Sequence, residues 1–144
     1  MRRVFLILAL MTSVQTSAAA ETNGNLDLQI TGGTPNVGQM VITIFNSKET
    51  YMKTPFVEHV ISVNSEGQAL LTMVTLQQGE YAVSVFYDKN SDGKLNTGFL
   101  GIPKEKIGFS NNAKSRMGPA PFSKTSFSLT KKKLSMKIYV GRAK

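Results

Sequence analysis

A run of oxygen-bearing side chains stands in residues 88–96, reading Asp88-Lys89-Asn90-Ser91-Asp92-Gly93-Lys94-Leu95-Asn96. Asp88, Asn90, Asp92 and Asn96 occupy positions 1, 3, 5 and 9 of this run and Gly93 position 6, the spacing of a calcium loop. The chemistry asks for that pattern because alternate residues turn carboxylate or amide oxygens inward, the glycine allows the sharp turn, and Lys94 at position 7 offers its carbonyl. Position 12 is Phe99, where an EF-hand has its bidentate Glu, and no helical pattern flanks the run. Glu105 is the carboxylate placed to fold back and complete the shell. Lys89 and Lys94 cancel the two aspartates, so the expected calcium affinity is weak, roughly 10⁻⁴ to 10⁻³ M. The same residues also suit an ion-free role, in which Asp88, Asn90, Asp92 and Asn96 cap their own turns.

A second polar group, Phe109-Ser110-Asn111-Asn112, suits a loop that hydrogen-bonds a sugar or peptide, with Phe109 as a stacking surface. Its competing role is to satisfy backbone groups of a long loop. The catalytic inventory is thin. His59 is the only histidine and falls on the inward face of an expected strand, where a satisfied core histidine is the ordinary outcome. There is no cysteine, which excludes disulfides, thiolate catalysis and zinc–thiolate sites. Ser84 lacks a Gly-x-Ser-x-Gly setting, and a carboxylate pair at Asp88 and Asp92 would need one raised pKa to work as acid and base. The expectation is a protein that is not an enzyme and has no cofactor beyond calcium.

Period-2 patterning dominates and 3.6-residue patterning is nearly absent, so the positioning elements are strands. Leu26, Leu28 and Ile30 alternate with polar residues; 40–45, 57–63 and 69–76 follow; 81–87 is apolar on both faces and reads as central. Residues 122–129 read as a sixth strand and 134–140 as a seventh, with 130–133 as a hairpin tip between them. Between 88 and 120 no strand or helix is expected. The fold class is therefore all-β: an antiparallel two-sheet sandwich of about seven strands, immunoglobulin-like or transthyretin-like, with one long irregular loop; a barrel is the competing form. Leu76, Gly79 and Tyr81 have the arrangement of a tyrosine corner.

Residues 1–20 differ in kind. Arg2 and Arg3 precede an apolar run over 4–11 and then Ala18-Ala19-Ala20, which predicts a secretory signal cut before Glu21, with a retained anchor as the rival. A single domain over 21–144 is left, periplasmic or secreted, with no later segment able to cross a membrane as a helix. The formal charge of the whole chain is +8, unevenly spread. Residues 21–103 carry four basic and eight acidic groups, whereas 104–144 carry eleven basic groups against Glu105 alone. That asymmetry builds a basic face able to attract anionic partners, or serves solubility and edge protection.

Three stretches together carry a family likeness: 81–95 running from the central strand into the oxygen-rich run, Gly101-Ile102-Pro103-Lys104-Glu105, and Gly108-Phe109-Ser110-Asn111-Asn112-Ala113. They resemble an uncharacterised exported bacterial family, domain of unknown function number twenty-one forty-one, over about residues 26–140. The resemblance implies a secreted or periplasmic β-sandwich and no established reaction. Tyr87 stands where relatives often carry His, and Phe122-Ser123-Lys124-Thr125 where they tend to be acidic, which implies a weaker metal centre here. The functional expectation is an exported, non-catalytic binding or accessory domain of unspecified ligand, whose acidic loop takes calcium weakly. The alternative is a basic envelope-associated protein that holds anionic surface polymers through its Lys-rich C-terminal part. Neither implies sequence-specific nucleic acid recognition.

Overall fold

Alternating burial along β1 (Asn23–Thr31) is the simplest expression of the pattern, with Leu26, Leu28 and Ile30 at or below 1% exposure and their neighbours half-buried. The computed structural model describes residues 22–142, so the expected export signal over 1–20 lies outside the described residues. The chain continues through β2 (Gln39–Phe45), β3 (Val57–Ser62), β4 (Gln68–Gln77), β5 (Gly79–Asp88), β6 (Lys106–Phe109), β7 (Phe127–Leu129) and β8 (Leu134–Tyr139). One sheet has the order β4-β1-β8; the other has the order β3-β2-β5-β6, with β7 also on β5. Leu26, Leu28 and Ile30 meet Met40, Ile42 and Ile44, Val83 and Val85, and Ile138 in one core between the layers. Each strand has an apolar face that must be covered, and two stacked sheets cover it. Among the described residues no helix is long and apolar enough to cross a membrane.

Four expectations change. First, β1 and β8 pair in parallel, Leu26 opposite Leu134 and Ile30 opposite Ile138, so the sandwich is not wholly antiparallel. Second, the long loop is not wholly irregular, because β6 pairs antiparallel with β5 from Ser84–Phe109 to Tyr87–Lys106. Third, Phe122–Thr125 is a single α-helical turn that starts directly after Pro121, and only Phe127–Leu129 is strand. Proline is suited to the start of a helix, since its fixed φ matches and its missing N–H would have no partner there. Fourth, 130–133 is no hairpin tip: β7 belongs to one sheet and β8 to the other, so this segment crosses between layers.

The tyrosine corner has its bond, the Tyr81 hydroxyl donating to the Gln77 carbonyl at 2.9 Å. β5 is central, paired with β2, β6 and β7. Phe45, Tyr51 and Phe122 stack edge to face on the outer side of the larger sheet, and the Tyr51 hydroxyl donates to Ala120 O at 2.7 Å. That packing ties the return of the long loop to the sheet. β4 is bulged where it passes Asp27: Met73 has φ 58° and donates its N–H to Asp27 Oδ1 at 2.8 Å. Lys133 pairs with the other Asp27 oxygen and, with the Met73 bond, holds that carboxyl below the usual carboxylate range.

Candidate functional site

β5 delivers Asp88 to the end of the sandwich as a fully buried carboxylate. Its Oδ2 accepts from Gln39 Nε2 and from the Gly93 N–H, both at 2.8 Å, and its Oδ1 from the Asp92 N–H at 3.2 Å. Asp88 thus folds the first turn of the loop back onto β2 and β5. Its two oxygens are committed to three N–H donors.

The other expected ligands gather around Asn96. Its Nδ2 lies 3.2 Å from Asp92 Oδ2, 3.4 Å from the Lys94 carbonyl and 3.4 Å from Glu105 Oε1. Its backbone N–H donates to Glu105 Oε2 at 3.0 Å, and Asn90 Nδ2 donates to Asp92 Oδ2 at 2.8 Å. Glu105 thus reaches back to Asn96 with both carboxylate oxygens. The Lys94 backbone N–H, followed by the Asn90 and Asn96 amides, holds the Asp92 carboxyl below its ordinary value. A depressed carboxyl keeps its bonds at neutral pH and loses them as pH falls through the lowered pKa. Among the described residues no three His, Cys, Asp or Glu side chains form a metal-holding group, so any cation here would depend on amide and carbonyl oxygens as well.

The second polar group is anchored inward. Phe109 is 4% exposed and offers no stacking surface. Ser110 is fully buried, accepting from the Val83 N–H at 2.9 Å and donating to Thr125 O at 2.5 Å. Asn111 Nδ2 donates to Lys124 O and Ser126 O, while Asn112 donates to Lys137 O and accepts from the Tyr139 N–H. These side chains fasten the loop between the two sheets.

Three features escaped the sequence reading. Residues 96–104 close a small hairpin: Lys104 N–H bonds to Asn96 O at 2.9 Å and Gly98 N–H to Ile102 O at 2.7 Å. Its tip exposes Phe99 (86%), Leu100 (81%) and Ile102 (56%). The only available signal was an apolar cluster inside a polar loop. Beside β6 and β8 lies a shallow cleft of about 180 Å³ whose lining includes Asn112, Lys114, Ser115, Tyr139 and Arg142. It draws residues from separate segments, so no local motif marks it. His59 is not a satisfied core residue: its Nε2 is buried without a hydrogen-bond partner, on the edge strand β3 beside a cleft shared with β4.

The loop, its β6 staple and most of both sheets fall inside a family match. The model for uncharacterized proteins conserved in bacteria, DUF2141, matches residues 28–137. The chain belongs to that family. Its DUF2141 region runs from the middle of β1 into β8 and so contains the whole end loop. No curated protein and no solved structure matches the chain.

Proposed function

We propose that this DUF2141 chain is an exported, non-catalytic binding domain of immunoglobulin-like or transthyretin-like form, and that its end loop is the binding element. The rigid parts are the two sheets, and the loop is fastened to them at Asp88, Ser110 and Asn112 while its middle stands exposed. A scaffold that holds a long loop at one end in this way is a common arrangement for recognition. A Ser or Cys nucleophile with a base is not assembled: cysteine is absent, and His59 lies on an edge strand with its Nε2 unpartnered.

The loop also takes calcium weakly in this reading. The observation that carries it is the convergence of Asp92 Oδ2, the Lys94 carbonyl and Glu105 Oε1 on one point, held by the amide nitrogen of Asn96. Turning that amide over directs its own oxygen to the same place, and Asn90 can do likewise from the other side of Asp92. Scanning calorimetry of the chain from Glu21 onward at about 10 mM calcium should raise Tm by about 5 °C for a site of millimolar affinity. Asp92→Ala should abolish the shift. A Tm that millimolar calcium leaves unmoved overturns the calcium reading.

A second reading has its own observation. The cleft beside β6 and β8 brings Lys114 and Arg142 to the exposed ring of Tyr139, which suits a basic envelope protein that holds anionic surface polymer. Retention on heparin or lipopolysaccharide should then fall steeply with salt, since screening shortens to ~3 Å at 1 M. Substituting Lys114 and Arg142, or Lys131, Lys132 and Lys133, by Ser should cut retention. Unaltered elution of both variants counts against it.

A further inference from the structure

We infer that the hairpin tip at Phe99, Leu100 and Ile102 is a wedge that inserts into an anionic phospholipid surface. This rests on the reading of the end loop as the binding element and names its partner. Three large apolar side chains within four residues are left in water at 86%, 81% and 56% exposure. Leu100 is also held at φ 60°, ψ 22°, a left-handed conformation that disfavours a leucine, and Gly101 follows at φ 72°. The Leu100 side chain has no apolar cover in the fold. That exposure is accounted for if the apex leaves water on binding.

The shape favours a bilayer. The tip is a convex, two-stranded projection closed by the Thr97–Pro103 bridge, and it carries its apolar groups outward. At its base stand Lys94 and Lys104, both exposed, with Lys89 at the start of the loop. Among the described residues none of these three ammonium groups lies within ion-pair distance of a carboxylate, and Lys94 acts on Asp92 only at longer range. The Lys104 stem runs alongside the hairpin, its Cε 3.4 Å from where a β-carbon on Gly98 would lie. Apolar residues at the apex and long cationic stems at the base match the two layers of an anionic membrane interface, acyl chains below and phosphates above. The Asn96–Glu105 bonds tie the base of the hairpin together.

Vesicle co-sedimentation tests this directly on the chain from Glu21 onward, which contains every strand described. Phosphatidylglycerol-containing vesicles should retain the protein and pure phosphatidylcholine vesicles should retain much less. The double variant Phe99→Ser, Leu100→Ser should lower partitioning about tenfold or more, because two exposed apolar side chains no longer enter the acyl layer. Its melting temperature should stay unchanged, since these side chains are largely in water. The chain has no tryptophan, so Phe99→Trp supplies a single reporter whose emission should shift to the blue on phosphatidylglycerol vesicles. Undiminished binding by the double variant, or an unshifted reporter on bound protein, overturns the wedge. Loss of vesicle binding on substituting Lys131, Lys132 and Lys133 but not the tip assigns the surface to the basic C-terminal part instead. No vesicle binding alongside a calcium shift abolished by Asp92→Ala removes the lipid inference and leaves the loop reading intact.

Discussion

Asp88→Ala should destabilise the fold by about 3 kcal/mol, seen as a fall in Tm on the order of 10 °C. The carboxylate is fully buried and accepts three hydrogen bonds, from Gln39, Asp92 and Gly93. Bonds to an ionised acceptor contribute more than neutral ones, and truncation leaves Gln39 Nε2 facing a cavity. Water can reach the exposed Asp92 and Gly93 amides, which keeps the loss below the sum of three bonds. Asp88→Asn retains one acceptor oxygen and should lose roughly half as much. Hydrogen exchange should quicken at Asp92 and Gly93 in both variants. A loss under about 1 kcal/mol for the alanine variant would show that the loop is anchored elsewhere.

Gly38→Ala should cost about 3 kcal/mol, whereas Gly101→Ala should cost about 1 kcal/mol, although both glycines are left-handed. Each has φ +72°, so the conformational penalty is shared. The surroundings differ. A β-carbon on Gly38 would lie 2.5 Å from the Asp88 carbonyl oxygen and 2.8 Å from Lys89 Cα, both backbone atoms that cannot rotate away. One on Gly101 would meet nothing within 4 Å. Urea unfolding of the matched pair isolates the crowding part, and equal losses would show that the Lys89 backbone yields without cost. The same substitution should also displace the Asp88–Gly93 turn, so the two variants report on one anchor from opposite sides.

Strands with room for a full alternation were legible from the residues. Leu26-x-Leu28-x-Ile30 and Leu134-x-Met136-x-Ile138 announce their faces because one side meets a core and the other water. β6 was not legible: four residues, one of them Gly108, give no period to detect, and its place is set by β5 and by the close pass of Tyr139 O. Phe122–Thr125 misled because Phe and Thr are good strand residues; Pro121 precedes its turn and the Tyr51 ring packs on Phe122 instead. Parallel pairing of β1 with β8 is a tertiary choice that neither strand encodes alone. In the site, the oxygen spacing named Asp92, Lys94 and Asn96, and the Asn96 amide lies within hydrogen-bond distance of the first two and of Glu105. It could not show that Asp88 is drawn under the sheet end, because a buried carboxylate and an ion ligand look alike in one dimension. The exposed tip was silent for the same reason, since Phe, Leu and Ile in a loop normally fold inward.

The pairing of the first strand with the last has a consequence for when this protein can finish folding. β1 lies between β4 and β8, so one of its flanks stays open until Leu134–Tyr139 arrives. Leu26 and its partner Leu134 belong to strands at opposite ends of the strand order in the chain. Contacts this far apart are also slow to form, because a long loop must be closed before they contribute. Until Leu134–Tyr139 docks, the smaller sheet is therefore a two-stranded pair, and the open flank of β1 is an unpaired edge.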